Sequence, residues 1–215
     1  MIFSTANSST REAFSKNRLL QILASIFTCY WAYTLVDTND INNWILENVL
    51  VILFLAYLIF SHKHFKFSDL SYSLVFIFLM LHVYGAKYTY AENPFGFWLQ
   101  EQYGFERNHY DRIVHFNFGF LLAYPMRDAF LNYFDFSKRV SWLLPIEITL
   151  SFSGLYELIE WAVADVFFKE QGAAYLGSQG DIWDAQKDMF LAFSGSILIM
   201  ILVGIFKKSK RTVTN

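Results

Sequence analysis

Six apolar runs, each about 20 residues long and all crowded into 215 residues, constrain this chain more than any other feature. They lie near Leu19 to Val36, Trp44 to Ser61, Leu70 to Tyr88, Ile113 to Phe130, Val140 to Ala164 and Trp183 to Phe206. At about 1.5 Å per residue, a helix over such a run spans roughly the 30 Å of a hydrocarbon core. Lipid offers no partner to an unsatisfied N–H or C=O, so helix is the form these runs must take. Composition agrees, with 55% hydrophobic and 20% aromatic residues and a mean hydropathy of +0.30, more than a soluble domain of this size needs. The connections are too short for a separate soluble domain, and no internal repeat is evident. The expected fold is all-α: one transmembrane bundle over residues 19–206, between a polar tail of 1–18 and a basic tail of 207–215.

No small-residue cleavage site follows the first run, which therefore reads as a retained anchor. Cys29 is the single cysteine, so no disulfide framework is expected. Orientation follows from the basic residues. The first tail (Arg11, Lys16, Arg18), the second connection (Lys63, Lys66), the fourth (Arg127, Lys138, Arg139) and the last tail (Lys207, Lys208, Lys210, Arg211) hold 12 of the 17 lysines and arginines. That bias predicts that both termini are cytoplasmic. Most acidic residues fall on the other side, leaving an electronegative outer mouth that attracts cations.

Four stretches place ionisable groups where a run meets that outer face: His82; Asp111 and His115; Glu157 and Glu160; and Asp181, Asp184 and Asp188. Charge near hydrocarbon is costly, so a convergence of this kind marks a site. Asp111 and His115 stand four apart, Glu157 and Glu160 three, and Asp181, Asp184 and Asp188 three and then four, so each set shares one helix face. Imidazole nitrogen with several carboxylate oxygens is ligand chemistry for a divalent metal such as zinc, manganese or iron. Asp111, His115, Glu160, Asp181, Asp184 and Asp188 are the candidate ligands, Glu157 and His82 the candidate catalytic groups, and Lys87, Arg107 and Arg112 the candidate cations for a substrate phosphate. Ordinary readings stand beside these. Asp181 and Asp184 also fit a helix N-cap with an acidic first turn, and Asp111 could pair with Arg107 or Arg112. Trp98, Tyr103, Trp161, Trp183, Tyr84, Tyr88 and Tyr90 read as an interfacial aromatic belt, and Gly177 and Gly180 as a turn into the sixth run.

The motifs His82-x-Tyr84-Gly85-Ala86-x-Tyr88-x-Tyr90, Arg107-Asn108-x-Tyr110-Asp111-Arg112 with His115-Phe116, Tyr156-Glu157-x-x-Glu160-Trp161, and Gly177-x-Gln179-Gly180-Asp181-x-Trp183-Asp184 with Asp188-Met189 resemble the bacterial YjdF-like inner-membrane proteins. The resemblance covers roughly Leu70 to Gly195. It implies a polytopic inner-membrane protein and brings no activity or ligand set with it.

Three functions remain open on the sequence. A metal-dependent hydrolase would act on a lipid or envelope-precursor ester or phosphoester. A cation- or proton-coupled transporter would continue the polar path inward through Glu147. In a structural or assembly protein, the polar network would only hold the bundle together. Nucleic acid is not an expected partner, given a net charge of -2 and no basic aromatic groove.

Overall fold

A computed structural model describes residues 12–167 and 178–212. Among these, seven α-helices occur and no strand: α1 (Arg18–Thr34), α2 (Ile41–His62), α3 (Asp69–Lys87), α4 (Pro94–Tyr103), α5 (Tyr110–Asn132), α6 (Val140–Trp161) and α7 (Asp184–Thr212). A π-helical stretch, Ala162–Phe167, extends α6. Each apolar run of the sequence is one long helix, and α7 continues past the Phe206 boundary to Thr212. Arg11, Lys169, Glu170 and Gly177 lie outside the described residues, as do the side chains of the basic tail.

Among the described residues, four helices are long and apolar enough to cross a membrane: α2, α3, α6 with its extension, and α7. In α2 the buried residues are Asn43, Glu47, Asn48 and Val51, while Ile45, Ile52, Leu53 and Ile59 are exposed. A mostly polar buried face under an apolar outer one suits a helix whose outside meets lipid. The other two long helices depart from the sequence expectation for physical reasons. At 17 residues, α1 is short, reaching only about 26 Å. Asp111, Arg112, Arg127 and Asp128 lower the apolarity of α5, yet 11 of its 23 residues are buried, which makes it the central helix. A helix wrapped by others has little lipid-facing surface to keep apolar.

The ten-residue α4 was not expected, because a search for membrane-length runs passes over it. Asn93 caps it by accepting from the Phe95 and Gly96 N–H groups, Pro94 opens it, and Gly104 closes it at φ +66°. Phe95, Phe97, Trp98 and Tyr103 project outward from it, as a helix lying along an interface would. Tyr90, grouped above with that belt, is instead buried.

The long helices alternate in direction. Glu47 against His82 and His62 against Tyr72 set α2 antiparallel to α3. Tyr110 against Leu81 and Asp128 against Ser71 set α5 antiparallel to α3. Gly154 beside Met189 and Gly204 beside Trp142 set α6 antiparallel to α7. At the end where α5 terminates, Asp128 Oδ2 accepts from Ser68 N–H at 3.0 Å and Ser71 Oγ–H at 2.9 Å, so a buried carboxylate caps α3 from another helix.

Candidate metal centre

The α5–α7 contact builds the site. Gly119 lies against the Ala192 carbonyl and Gly195 against the Phe116 carbonyl, approaches in which a Cβ would collide with backbone. Two parallel helices are thereby drawn together, and one turn toward their N-termini the facing side chains are Asp111 and His115 on α5 and Asp188 on α7. One ligand atom from each of these three lies within 4.8 Å of the others.

His115 Nε2 is 3.4 Å from Asp111 Oδ1, and its Nδ1 is 3.8 Å from Glu157 Oε1 on α6. Asp188 is 2% exposed. Among the described residues its Oδ1 has no hydrogen-bond donor, and neither has the buried Oε1 of Glu157. An orphaned buried acceptor costs about 1–3 kcal/mol, more when charged, unless something else satisfies it. One imidazole and three carboxylates gathered this way suit a divalent cation, which would also offset their mutual repulsion. Glu160, one turn on from Glu157 along α6, is not among the three grouped donors.

A buried polar network adjoins this cluster. The Tyr156 hydroxyl donates to Glu47 Oε2 at 3.0 Å, and its ring meets His115 edge-on at 5.8 Å. Glu47 Oε2 lies 4.0 Å from His82 Nε2, and the Tyr90 hydroxyl lies 2.7 Å from His82 Nδ1. His82 Nε2 faces the Glu47 backbone carbonyl at 3.3 Å, so His82 packs against α2 beside Glu47 and is not one of the three grouped donors. Glu47 was missed in the sequence. The signal was the same as for Glu157, an acid within an apolar run, here WILENVL.

Asp181 and Asp184, expected among the ligands, are engaged elsewhere. Arg107 pairs with Asp184, Arg112 pairs with Asp181, and the cross-contacts are 3.7 Å (Arg107 to Asp181) and 3.2 Å (Arg112 to Asp184). Lys187 Nζ adds a 2.6 Å bond to Asp181 Oδ2. Chiefly that bond, helped by the Trp183 N–H and Arg112, holds the Asp181 carboxyl well below the usual carboxylate range. Gln179 strengthens the lock: its Oε1 accepts from the Asn108 N–H and its Nε2 donates to the Asn108 carbonyl, both at 2.9 Å. Gln179 at φ 49° and Gly180 at φ 84° make the turn that presents these groups. The segments around Arg107 and Gln179 thus clasp each other and fix the start of α7, which sets where Asp188 points.

Two further sequence candidates lie away from the cluster. Lys87 is buried, donates to the Val36 carbonyl beyond α1, and stands over the Tyr33 ring at 5.0 Å. It ties α3 to the end of α1 rather than facing a substrate. Glu147 is exposed on α6, so it does not extend the polar interior inward.

Comparison with known proteins accounts for the motifs. The model of a family of predicted membrane proteins, DUF2238, matches residues 19–209. The Escherichia coli K12 protein named inner membrane protein YjdF is 34% identical over 194 residues, 89% of this chain and 91% of the relative. No solved structure matches. Together with four membrane-length helices, these similarities establish that the chain is a multi-pass inner-membrane protein and belongs to the DUF2238 family of predicted membrane proteins.

Proposed function

We propose that the chain crosses the inner membrane six times with both termini in the cytoplasm, and that it holds a divalent cation at its periplasmic end for hydrolysis of a lipid or envelope-precursor ester or phosphoester. The alternating directions of the six long helices, and the sequence bias that puts 12 of the 17 basic residues in the two tails and the second and fourth connections, support this topology. The observation that carries the chemistry is the group Asp111, His115 and Asp188 within 4.8 Å, with the orphaned oxygens of Asp188 and Glu157 beside it.

In this reading Asp111, His115 and Asp188 bind the cation. A divalent cation held there would supply Lewis-acid polarisation of the ester and a more acidic water, and Glu157, 3.8 Å from His115, is placed to take that water's proton and return it to the departing alcohol oxygen. Glu47, accepting from the Tyr156 hydroxyl, fixes the Tyr156 ring against His115 and so helps to orient the imidazole. One-sided chemistry fits better than transport, because the exposed Glu147 supplies no inward step.

The test is turnover by the detergent-purified protein of a fluorescent phospholipid and a water-soluble phosphodiester, each with zinc, manganese or iron(II). Metal-dependent release of product, lowered at least about 100-fold in Glu157→Gln, is expected for a general base. Failure of every metal and substrate pair would count against hydrolysis while leaving cation binding to be measured separately.

A further inference from the structure

At the end of the bundle opposite the cluster, Arg127 of α5 is 6% exposed, and its charge is unanswered. Its Nε is enclosed with no acceptor, and among the described residues nothing takes a hydrogen bond from the guanidinium. What the guanidinium does meet is the Trp142 ring of α6, 5.3 Å from its Cζ, a ring for which Gly204 of α7 leaves room. A cation over an aromatic face gains far less than burying a charge costs. The five N–H donors of the fork are also left without acceptors.

The acids of this end do not answer that charge. Asp128 directly follows Arg127, and adjacent helical residues do not face each other. Its Oδ2 accepts from Ser68 and Ser71, and its Oδ1 from Asn132 Nδ2 at 2.8 Å. Asp69 accepts from Asn17 Nδ2 at 2.7 Å, and Glu12, Asp135 and Glu147 are exposed. Lys138 and Arg139 stand exposed on the connection that follows α5, with Phe134 and Phe136 projecting outward beside them in the chain. Aromatic and cationic side chains mixed at the end of apolar helices mark the headgroup level of a membrane.

We infer that Arg127 and Trp142 form a lipid site, in which the guanidinium holds the phosphate of a phospholipid from the leaflet at this end of the bundle. The fork selects an oxyanion with two oxygens side by side, as a phosphate presents. A lipid phosphate already lies at this level, whereas a free phosphate would have to leave water to meet a nearly enclosed guanidinium. Arg127 is 16 residues along α5 from Asp111, about 24 Å, so the site does not depend on any cation bound at the cluster.

The test uses the detergent-purified full chain, stripped of lipid by detergent exchange and then equilibrated with phosphatidylglycerol or with diacylglycerol of the same acyl chains. Native mass spectrometry should show wild type retaining phosphatidylglycerol about tenfold better than diacylglycerol, the effect of one hydrogen bond to a charged group. Its unfolding midpoint should rise with phosphatidylglycerol alone. Arg127→Met keeps the apolar stem and removes the fork, so both the preference and the rise should disappear. Without lipid that variant should unfold no lower than wild type, because an unanswered buried charge has gone. A lipid-free Arg127→Met clearly less stable than lipid-free wild type would show that the protein itself satisfies the guanidinium and would overturn the inference. Equal retention of the two lipids by wild type, or an unchanged preference in the variant, overturns it too. A rise of the wild-type midpoint with millimolar inorganic phosphate equal to that with phosphatidylglycerol would assign the fork to a free anion, with the same consequence.

Discussion

Gly119 of α5 rests against the carbonyl of Ala192 of α7 so closely that no Cβ fits between them. Since Asp111 and His115 stand within two turns of that contact and Asp188 one turn before Ala192, the spacing of the two backbones sets the spacing of the candidate ligands. Gly119→Ala should push the helices apart, because the obstructing atom is backbone and cannot rotate away. Overpacking of this kind costs about 1–3 kcal/mol. Unfolding in detergent should reveal that loss, together with weakened metal retention. A variant of wild-type stability and metal content would show that the contact is not what aligns the site.

Arg107 and Asp184 form an ion pair with side chains about 10% exposed. Removing Arg107 leaves Asp184 with only its 3.2 Å contact to Arg112, so Arg107→Ala should destabilise by about 1.5–3 kcal/mol, the range for a hydrogen bond to a charged group. Arg107→Met with Asp184→Leu should recover much of that loss, since Arg112 and Asp181 then remain as a matched pair. Comparison of unfolding midpoints checks this, and a double variant no better than the single one would contradict it.

Glu47 accepts the Tyr156 hydroxyl at 3.0 Å, joining α2 to α6. Glu47→Leu and Tyr156→Phe should therefore be non-additive, with a coupling of about 0.5–1.5 kcal/mol for a hydrogen bond. A double-mutant cycle on unfolding free energy measures it. Additive losses would mean that Glu47 and Tyr156 are not energetically connected.

The pH dependence around Asp181 has a definite sign. Its folded carboxyl titrates below the usual range, so its contribution is present above the unfolded value of about 3.9 and is lost as pH falls toward the folded one. Wild type should lose stability progressively below about pH 4. Asp181→Asn, which cannot titrate, should lack that portion of the slope. Identical acid profiles for the two proteins would show that the bonds from Lys187, Trp183 and Arg112 do not lower this carboxyl.

Much of this was legible in the sequence because lipid makes few demands and enforces them strictly. All six long helices could be placed from apolar runs, with ends within a few residues. What a sequence could not show was which helix the others would enclose. The polar residues of α5, which weaken it as a membrane-crossing run, are those a central helix can bury. Asp111, His115 and Asp188 were readable as candidates from their spacing, and the contact between Gly119 and Ala192 brings them together. Asp181 and Asp184 had the same signature as ligands, and only the positions of Arg107 and Arg112 in space separate them from Asp188. Lys87 could not be placed from sequence because its partner, the Val36 carbonyl, is a backbone group. Glu47 was legible in principle, as an acid in a run with no other charge, but no neighbouring motif drew attention to it.

Metal content tests the central claim most directly. Full-length protein purified in detergent and equilibrated in turn with zinc, manganese and iron(II) should retain one of them near stoichiometry by inductively coupled plasma mass spectrometry. Asp188→Ala, shown to be folded by its unfolding midpoint, should lose it. Retention of none of the three metals by wild type, or unchanged retention in Asp188→Ala, would contradict a cation site built from Asp111, His115 and Asp188.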